Sequence, residues 1–87
     1  MVTTDKYSNN ELVKWLRDEK GYKHRSSKDV ISRIRRIEKF HNLPMIITEE
    51  TIFQVEQEED FKKLSVSIKS QLRLALRLLR DYQQRQK

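Results

Sequence analysis

The chain contains one glycine, Gly21, and one proline, Pro44, among its 87 residues. These two residue types are the commonest markers of turns, so a chain with so few of them has few places to reverse direction. A fold of many short strands needs many turns, whereas a fold of a few long helices needs few. The scarcity of both residues therefore predicts an all-α protein.

A chain of 87 residues forms one small domain with a single core. Hydrophobic residues make up 36% of it and charged residues 37%, and the hydrophobic residues recur at helical spacing, which argues against disorder. The absence of cysteine excludes disulfides and thiolate metal sites, and it favours a reducing, cytoplasmic location. No apolar run is long enough for a signal peptide or a membrane span.

Apolar periodicity and capping residues predict a small four-helix bundle after a frayed terminus at residues 1–7. The predicted helices cover about residues 9–20, 27–41, 49–57 and 66–85. Gly21 ends the first helix because glycine readily takes a left-handed conformation, and the second helix ends before Pro44. Polar residues at the helix starts are the predicted caps: Ser8 with Glu11, Ser26 or Ser27 with Asp29, and Thr48.

The fourth predicted helix is the spine of the bundle, because it has one broad apolar face. The members of this face are Ile68, Leu72, Ala75, Leu76, Leu79 and Tyr82. Leu74 and Leu78 lie beyond it, so they are either covered by the first helix or form a surface for a protein partner or for self-association. Elsewhere, the residues expected in the core are Trp15, the link Met45–Ile47, Ile52, Phe53 and Val55.

Two of the predicted helices carry a basic face opposite an apolar one. At about 100° per residue, one outer arc of the second helix contains no acid. Its members are Arg25, Lys28, Ser32, Arg35, Arg36 and Lys39. On the fourth helix, polar residues spaced by three or four form a single ridge. That ridge consists of Lys69, Arg73, Arg77, Arg80 and Gln84.

The formal net charge of +6 is unevenly distributed along the chain. Residues 20–41 hold eight bases and two acids, and residues 61–87 hold eight bases and one acid. Residues 49–60 hold six acids and no base. Such segregation is typical of a protein that binds a polyanion, most commonly nucleic acid, although a solvated surface is the alternative for either basic face.

Catalysis is poorly supported, and we expect no enzyme, no cofactor and no small-molecule substrate. His24 and His41 are the two histidines, and no hydrolase, zinc-protease or phosphate-loop motif occurs. His41 is expected to be a hydrogen-bonded core or capping residue, whereas His24 either donates to a phosphate or is solvated. The acidic run Glu56–Asp60 lacks the spacing and the glycine of a calcium loop, so we expect no metal there.

Three segments together resemble a known family. The first runs from Gly21 to Phe40 and carries Ser26, Val30, Ile34 and Ile37. The second leads from Leu43-Pro44 to Thr48-Glu49-Glu50, and the third is Ala75-Leu76-Arg77 with Leu79 and Tyr82. Over about residues 8–84, this pattern is similar to the core-binding, SAM-like N-terminal domain of tyrosine recombinases and phage integrases.

The resemblance implies a four-helix domain that clamps one face of duplex DNA during recombination or integration. It implies that the second and fourth helices meet the major groove and the backbone, through Lys23, His24, Arg25, Ser26 and Lys28 and through Lys69, Arg73 and Arg77. Three positions depart from the family pattern. Ser26 stands where the family usually has threonine, Lys23 and His24 where it has Ser-Pro, and Val30 where tyrosine is frequent.

A recombinase also needs an arginine-histidine constellation and a nucleophilic tyrosine, and Tyr7, Tyr22 and Tyr82 have no such setting. We therefore expect an excised domain or a stand-alone relative that does not cut DNA. The predicted function is non-catalytic binding of duplex DNA, with no membrane contact; the alternative is a helical protein-interaction or dimerisation module whose basic faces are only solvated. The predicted DNA-binding residues are Lys23, His24, Arg25, Ser26, Lys28, Arg35, Arg36, Lys39, Lys69, Arg73, Arg77 and Arg80.

Overall fold

The computed structural model describes residues 9–85, which form five helices and no strand. The helices are α1 (Asn9–Lys20), α2 (His24–Glu38), α3 (Glu49–Glu56), α4 (Glu59–Lys62) and α5 (Val66–Gln84). The prediction of an all-α protein is confirmed for this part of the chain. Five helices are present where four were predicted, because the four-residue α4 was not expected. The predicted frayed terminus and the Ser8 cap lie outside the described residues.

The first helix has the predicted bounds and ends at the predicted glycine. Gly21 has φ of +72°, in the left-handed region that glycine adopts without strain. The Tyr22 N–H then donates to the Leu16 carbonyl at 3.0 Å, which satisfies one of the carbonyls left without a partner at the helix end. This turn redirects the chain into α2, which packs along α1.

The second helix is shifted by three residues from its predicted bounds. It begins at His24, after an N-cap at Lys23 that makes no side-chain cap hydrogen bond, and it ends at Glu38. The predicted serine caps are wrong, because Ser27 lies inside the first turn and is buried. Its hydroxyl donates to the Lys23 carbonyl at 3.0 Å. This bond satisfies the hydroxyl within α2, so Ser27 is a buried helical residue and not a cap.

The third helix begins as predicted. The Thr48 hydroxyl accepts from the Thr51 N–H at 3.3 Å, and the Thr51 hydroxyl accepts from the Thr48 N–H at 3.3 Å, which completes a capping box. Phe53 is 60% exposed, so its predicted place in the core is wrong. The acidic segment that follows contains α4, which forms because Phe61 turns inward and is fully buried.

The core lies between α1, α2 and α5 and is closed by residues from α3 and α4. The last helix is the spine, as predicted, and the buried residues it supplies are Leu72, Ala75, Leu76, Leu78, Leu79 and Tyr82. Trp15 packs against this core, with its ring 5.6 Å from that of Tyr82 in an edge-to-face arrangement. Leu74 and Leu78 were predicted to be either covered or part of a docking surface. Leu78 is covered, at 6% exposure, whereas Leu74 is 46% exposed.

The link between α2 and α3 is hydrogen-bonded to α5 through the side chain of Gln83. Gln83 accepts from the Ile47 N–H at 2.8 Å and donates to the Met45 carbonyl at 2.9 Å. Ile47 is buried, whereas Met45 and Ile46 are exposed. The prediction that this apolar link packs across the bundle therefore holds for Ile47 alone.

Candidate nucleic-acid interface

The outer side of α2 carries one continuous basic surface, which we call the α2 basic face. All of its members are exposed: Arg25, Lys28, Ser32, Arg35, Arg36 and Lys39. The opposite side of α2 is held in the core by Val30, Ile34 and Ile37. Because those three side chains fix the rotation of the helix about its axis, the cations are held toward solvent. The predicted α2 residues are therefore exposed on one side of the helix.

The α2 basic face extends to the start of the helix. Lys23, His24 and Ser26 are exposed there, beside Arg25. The N-terminal end of a helix has a partial positive charge, because its first N–H groups point outward. This end therefore adds to the potential of the basic side chains around it. The structure thus brings together all the residues that we predicted for the entry into α2.

The basic residues of α5 are in a different setting. We call Lys69, Arg73, Arg77, Arg80 and Gln84 the α5 basic ridge. Arg73 forms an ion pair with Glu56, and Arg80 forms one with Glu49. The Arg80 guanidinium also lies 3.4 Å from an Asp81 carboxylate oxygen, and Arg73 stacks over the Phe61 ring at 5.5 Å. Both arginines are partly buried, at 34% and 20% side-chain exposure.

These ion pairs follow from the way α3 lies against α5. The first residue of α3 pairs with Arg80 and its last residue pairs with Arg73, so the two helices run antiparallel. The acidic segment is separate from the basic segments in sequence, but folding places it on the α5 basic ridge. One signal for this pairing was present in the sequence: Glu49 and Glu56 have the same seven-residue spacing as Arg73 and Arg80.

The α5 basic ridge consequently offers less positive charge than its sequence indicates. Lys69 is half-buried and Arg77 is exposed, and neither has an acidic partner within residues 9–85. Two of the four cations are thus paired with acids of α3. Since ion pairing reduces the attraction for phosphate, Lys69 and Arg77 are the cations of this ridge best suited to bind an anion.

His41 and the acidic run Glu56–Asp60 lie outside the two basic surfaces and make contacts within the fold. His41 Nδ1 lies 2.6 Å from a Glu58 carboxylate oxygen, so this histidine is hydrogen-bonded as predicted and ties the end of α2 to the start of α4. In the acidic run, Glu56 and Glu58 are both engaged with basic partners. Within the described residues, no group of three histidine, cysteine or acidic side chains could hold a metal ion.

Tyr82 has an altered ionisation among the residues that the structure describes. Its hydroxyl donates to a Glu11 carboxylate oxygen at 3.2 Å. Burial raises the pKa of Tyr82 above its ordinary value, and the hydrogen bond to Glu11 raises it further. This tyrosine therefore keeps its proton more tightly than a free tyrosine does, and its hydrogen bond joins α5 to α1.

None of the helices within residues 9–85 has the length and apolarity needed to cross a membrane. Comparisons with protein-family models, with curated proteins and with solved structures found no match.

Proposed function

We propose that this chain is a non-catalytic module that binds duplex DNA, principally through the α2 basic face and secondarily through Arg77 and Lys69 of the α5 basic ridge. We also propose that the chain is related to the core-binding domain of tyrosine recombinases and shares its SAM-like arrangement of helices. The observation that supports it most is the α2 basic face itself. Five exposed cations lie on one side of a helix whose opposite side is anchored in the core.

Contact with phosphate is the chemistry that this face suits. Lysine and arginine side chains neutralise phosphates and release counterions, which requires charge density and reach but no defined base contact. The exposed cations of the α2 basic face extend from Arg25, in the first turn of the helix, to Lys39, its C-cap residue. A continuous row of this kind fits the backbone of a duplex better than it fits a small anion.

The experiment is an electrophoretic mobility shift with mixed-sequence duplexes across a series of salt concentrations. We expect log affinity to fall linearly with log salt, and the double variant Lys28→Glu/Arg36→Glu to lower the slope by roughly 2, since each phosphate contact contributes about 0.9. Lys62→Glu/Lys63→Glu is the matched control, because it changes the charge equally at two exposed lysines outside both basic surfaces.

Two outcomes would contradict the proposal. The first is the absence of a shift at low salt with the unmodified chain. The second is an equal loss of affinity in the α2 variant and in the control, because that result would reflect net charge and not a surface.

A protein-interaction module is the second candidate, and one observation favours it. Several large apolar side chains are exposed, namely Met45, Ile46, Phe53, Val66 and Leu74. Exposed apolar side chains that cluster form contact surfaces for proteins. Light scattering over a range of protein concentrations tests this candidate. Self-association that Phe53→Ser/Leu74→Ser abolishes, without any DNA binding, would establish it in place of the first.

A further inference from the structure

A groove about 300 Å³ in volume lies between α1 and α2, at the edge of the α2 basic face. Its lining consists of Asn10, Val13, Lys28, Ile31, Ser32 and Arg35. Two of these side chains are cations, one is a hydroxyl and one is an amide. No acid is among the described residues that line it. The groove therefore presents hydrogen-bond donors and positive charge together.

A second groove on the molecule shows that this composition is not a general feature of its surface. That groove, about 350 Å³ in volume, lies on the other side of α1 and is lined by Glu11, Lys14, Trp15, Asp18, Glu19 and Arg85. Its lining combines three acids with two cations and one tryptophan, and the acids make it less suitable for an anion. The groove between α1 and α2 thus differs from the second groove in having cations but no acid among its lining residues.

The spacing along α2 arranges the polar groups around one position. Lys28, Ser32 and Arg35 follow one another at intervals of four and three residues, so they lie in one row on the helix. The two cations are about 10 Å apart along the axis, at a rise of 1.5 Å per residue. Ser32 lies between them, and a bound group at Ser32 is within reach of both long side chains.

The apolar floor strengthens this arrangement. Val13 is half-buried and Ile31 is buried, so apolar atoms form part of the groove's lining. Electrostatic attraction is stronger beside apolar atoms than in bulk water, because the local dielectric constant is lower. Asn10, which belongs to α1, adds an amide from the facing wall.

We infer that the groove between α1 and α2 seats one phosphate group of a nucleic-acid backbone, held by Lys28 and Arg35 as cations and by Ser32 and Asn10 as neutral donors. This inference rests on the proposed function and adds a defined anchor to it. Phosphate contacts of this type set the position of a protein on a duplex. The inferred contact with Asn10 also gives α1 a part in recognition.

The test compares Ser32→Glu with Gln54→Glu. Both positions are exposed and both changes add one negative charge, but Gln54 lies on α3 and outside the groove. We expect Ser32→Glu to weaken duplex binding about tenfold more than Gln54→Glu, because a carboxylate would occupy the phosphate position. Ser32→Ala removes only one donor, and we expect a loss of about threefold. Thermal unfolding followed by circular dichroism verifies that each variant is folded.

A second arm uses sodium phosphate as the probe, with sodium chloride of equal ionic strength as the reference. In two-dimensional ¹H–¹⁵N spectra, we expect saturable shifts for the amides of residues 28–35 and for the Asn10 side chain, with none in Ser32→Glu. Duplex binding that Ser32→Glu and Gln54→Glu weaken equally would overturn the inference while leaving the proposed function intact. Saturable phosphate shifts without any duplex binding would instead overturn the proposed function and leave a site for free phosphate.

Discussion

At the scale of single residues, hydrogen bonds between distant side chains and backbone decide where the helices sit. Tyr82 reaches Glu11 across the core, and Gln83, its neighbour in sequence, bonds to both Met45 and Ile47. These two consecutive residues of α5 therefore hold α1 on one side and the link before α3 on the other. Neither role is visible in sequence, because each partner lies more than thirty positions away.

The ionisation of Tyr82 gives a pH-dependent prediction. Its raised pKa means that the folded chain binds the phenol proton more tightly than the unfolded chain does. The resulting stabilisation is complete below the unfolded pKa of about 10 and is lost as the pH rises through the higher folded value. In a Tyr7→Phe/Tyr22→Phe chain, ultraviolet absorption of tyrosinate should titrate with a midpoint above about 10.

The control for this titration is the same chain with Glu11→Gln. Because the carboxylate of Glu11 contributes to the raised pKa, its replacement should move the midpoint downward. A midpoint at the ordinary tyrosine value in both chains would contradict the buried, hydrogen-bonded environment of Tyr82.

At the scale of helices, the two sides of α5 have different neighbours. Leu78 is enclosed by the core, whereas Leu74, one turn earlier, is 46% exposed. We expect Leu78→Ala to lower the free energy of unfolding by about 2–5 kcal/mol, through lost burial and the cavity left behind. Leu74→Ala should change it by less than about 1 kcal/mol. Urea unfolding measures both, and similar losses would show that Leu74 is also covered.

The pairing of α3 with α5 gives a prediction about affinity. Ion pairs on partly exposed surfaces contribute about 0–1 kcal/mol each, so Glu49→Gln/Glu56→Gln should cost little stability. The same change releases Arg73 and Arg80 from their partners, so duplex affinity at low salt should rise. Fluorescence anisotropy with a labelled duplex measures this rise.

Glu50→Gln/Glu59→Gln is the matched control, since it removes the same charge from two exposed acids. The proposed secondary role of α5 requires the paired-acid variant to gain more affinity than this control. An equal gain would mean that net charge alone governs the effect and that α5 takes no part.

The helices could be predicted from sequence wherever local chemistry defines them. The bounds of α1, α3 and α5 were predicted to within one residue, because Gly21, Thr48 and the apolar periodicity act over a single turn. The bounds of α2 were not, since Ser27 resembles a cap in sequence but is buried in the fold. The short α4 was missed because the burial of Phe61 depends on tertiary contacts.

The candidate site, like the helices, could be predicted from the sequence only in part. The α2 basic face was predicted correctly as an exposed surface, because helical periodicity alone separates it from the core. The neutralisation of Arg73 and Arg80 was not predicted, because it requires the position of α3 against α5. The segregation of charge along the sequence therefore does not predict how charge is distributed on the surface of the folded chain.

At the scale of the whole molecule, size limits what a single copy can cover. The principal dimensions are 34 × 30 × 24 Å. Since a duplex rises about 3.4 Å per base pair, the longest dimension corresponds to about 10 base pairs, or one turn. We expect affinity to increase with duplex length up to about 10–12 base pairs and then to remain constant per site.

Isothermal titration calorimetry with duplexes from about 6 to about 24 base pairs measures both the affinity and the number of copies bound. We expect two copies of the chain to bind the longest duplex. One copy on that duplex would mean that the chain contacts more DNA than its dimensions allow, and the footprint would then include a second surface or a bend in the duplex.

The position of α5 in the order of helices also affects how this protein is made. A ribosome delivers α1 and α2 first, but both present apolar faces whose cover comes from α5. The hairpin of α1 and α2 therefore emerges with unfilled hydrophobic surface, and the Gln83 bonds to the link cannot form until synthesis has passed residue 83. Folding of this domain should thus follow the emergence of α5 from the exit tunnel and not the earlier emergence of α1 and α2.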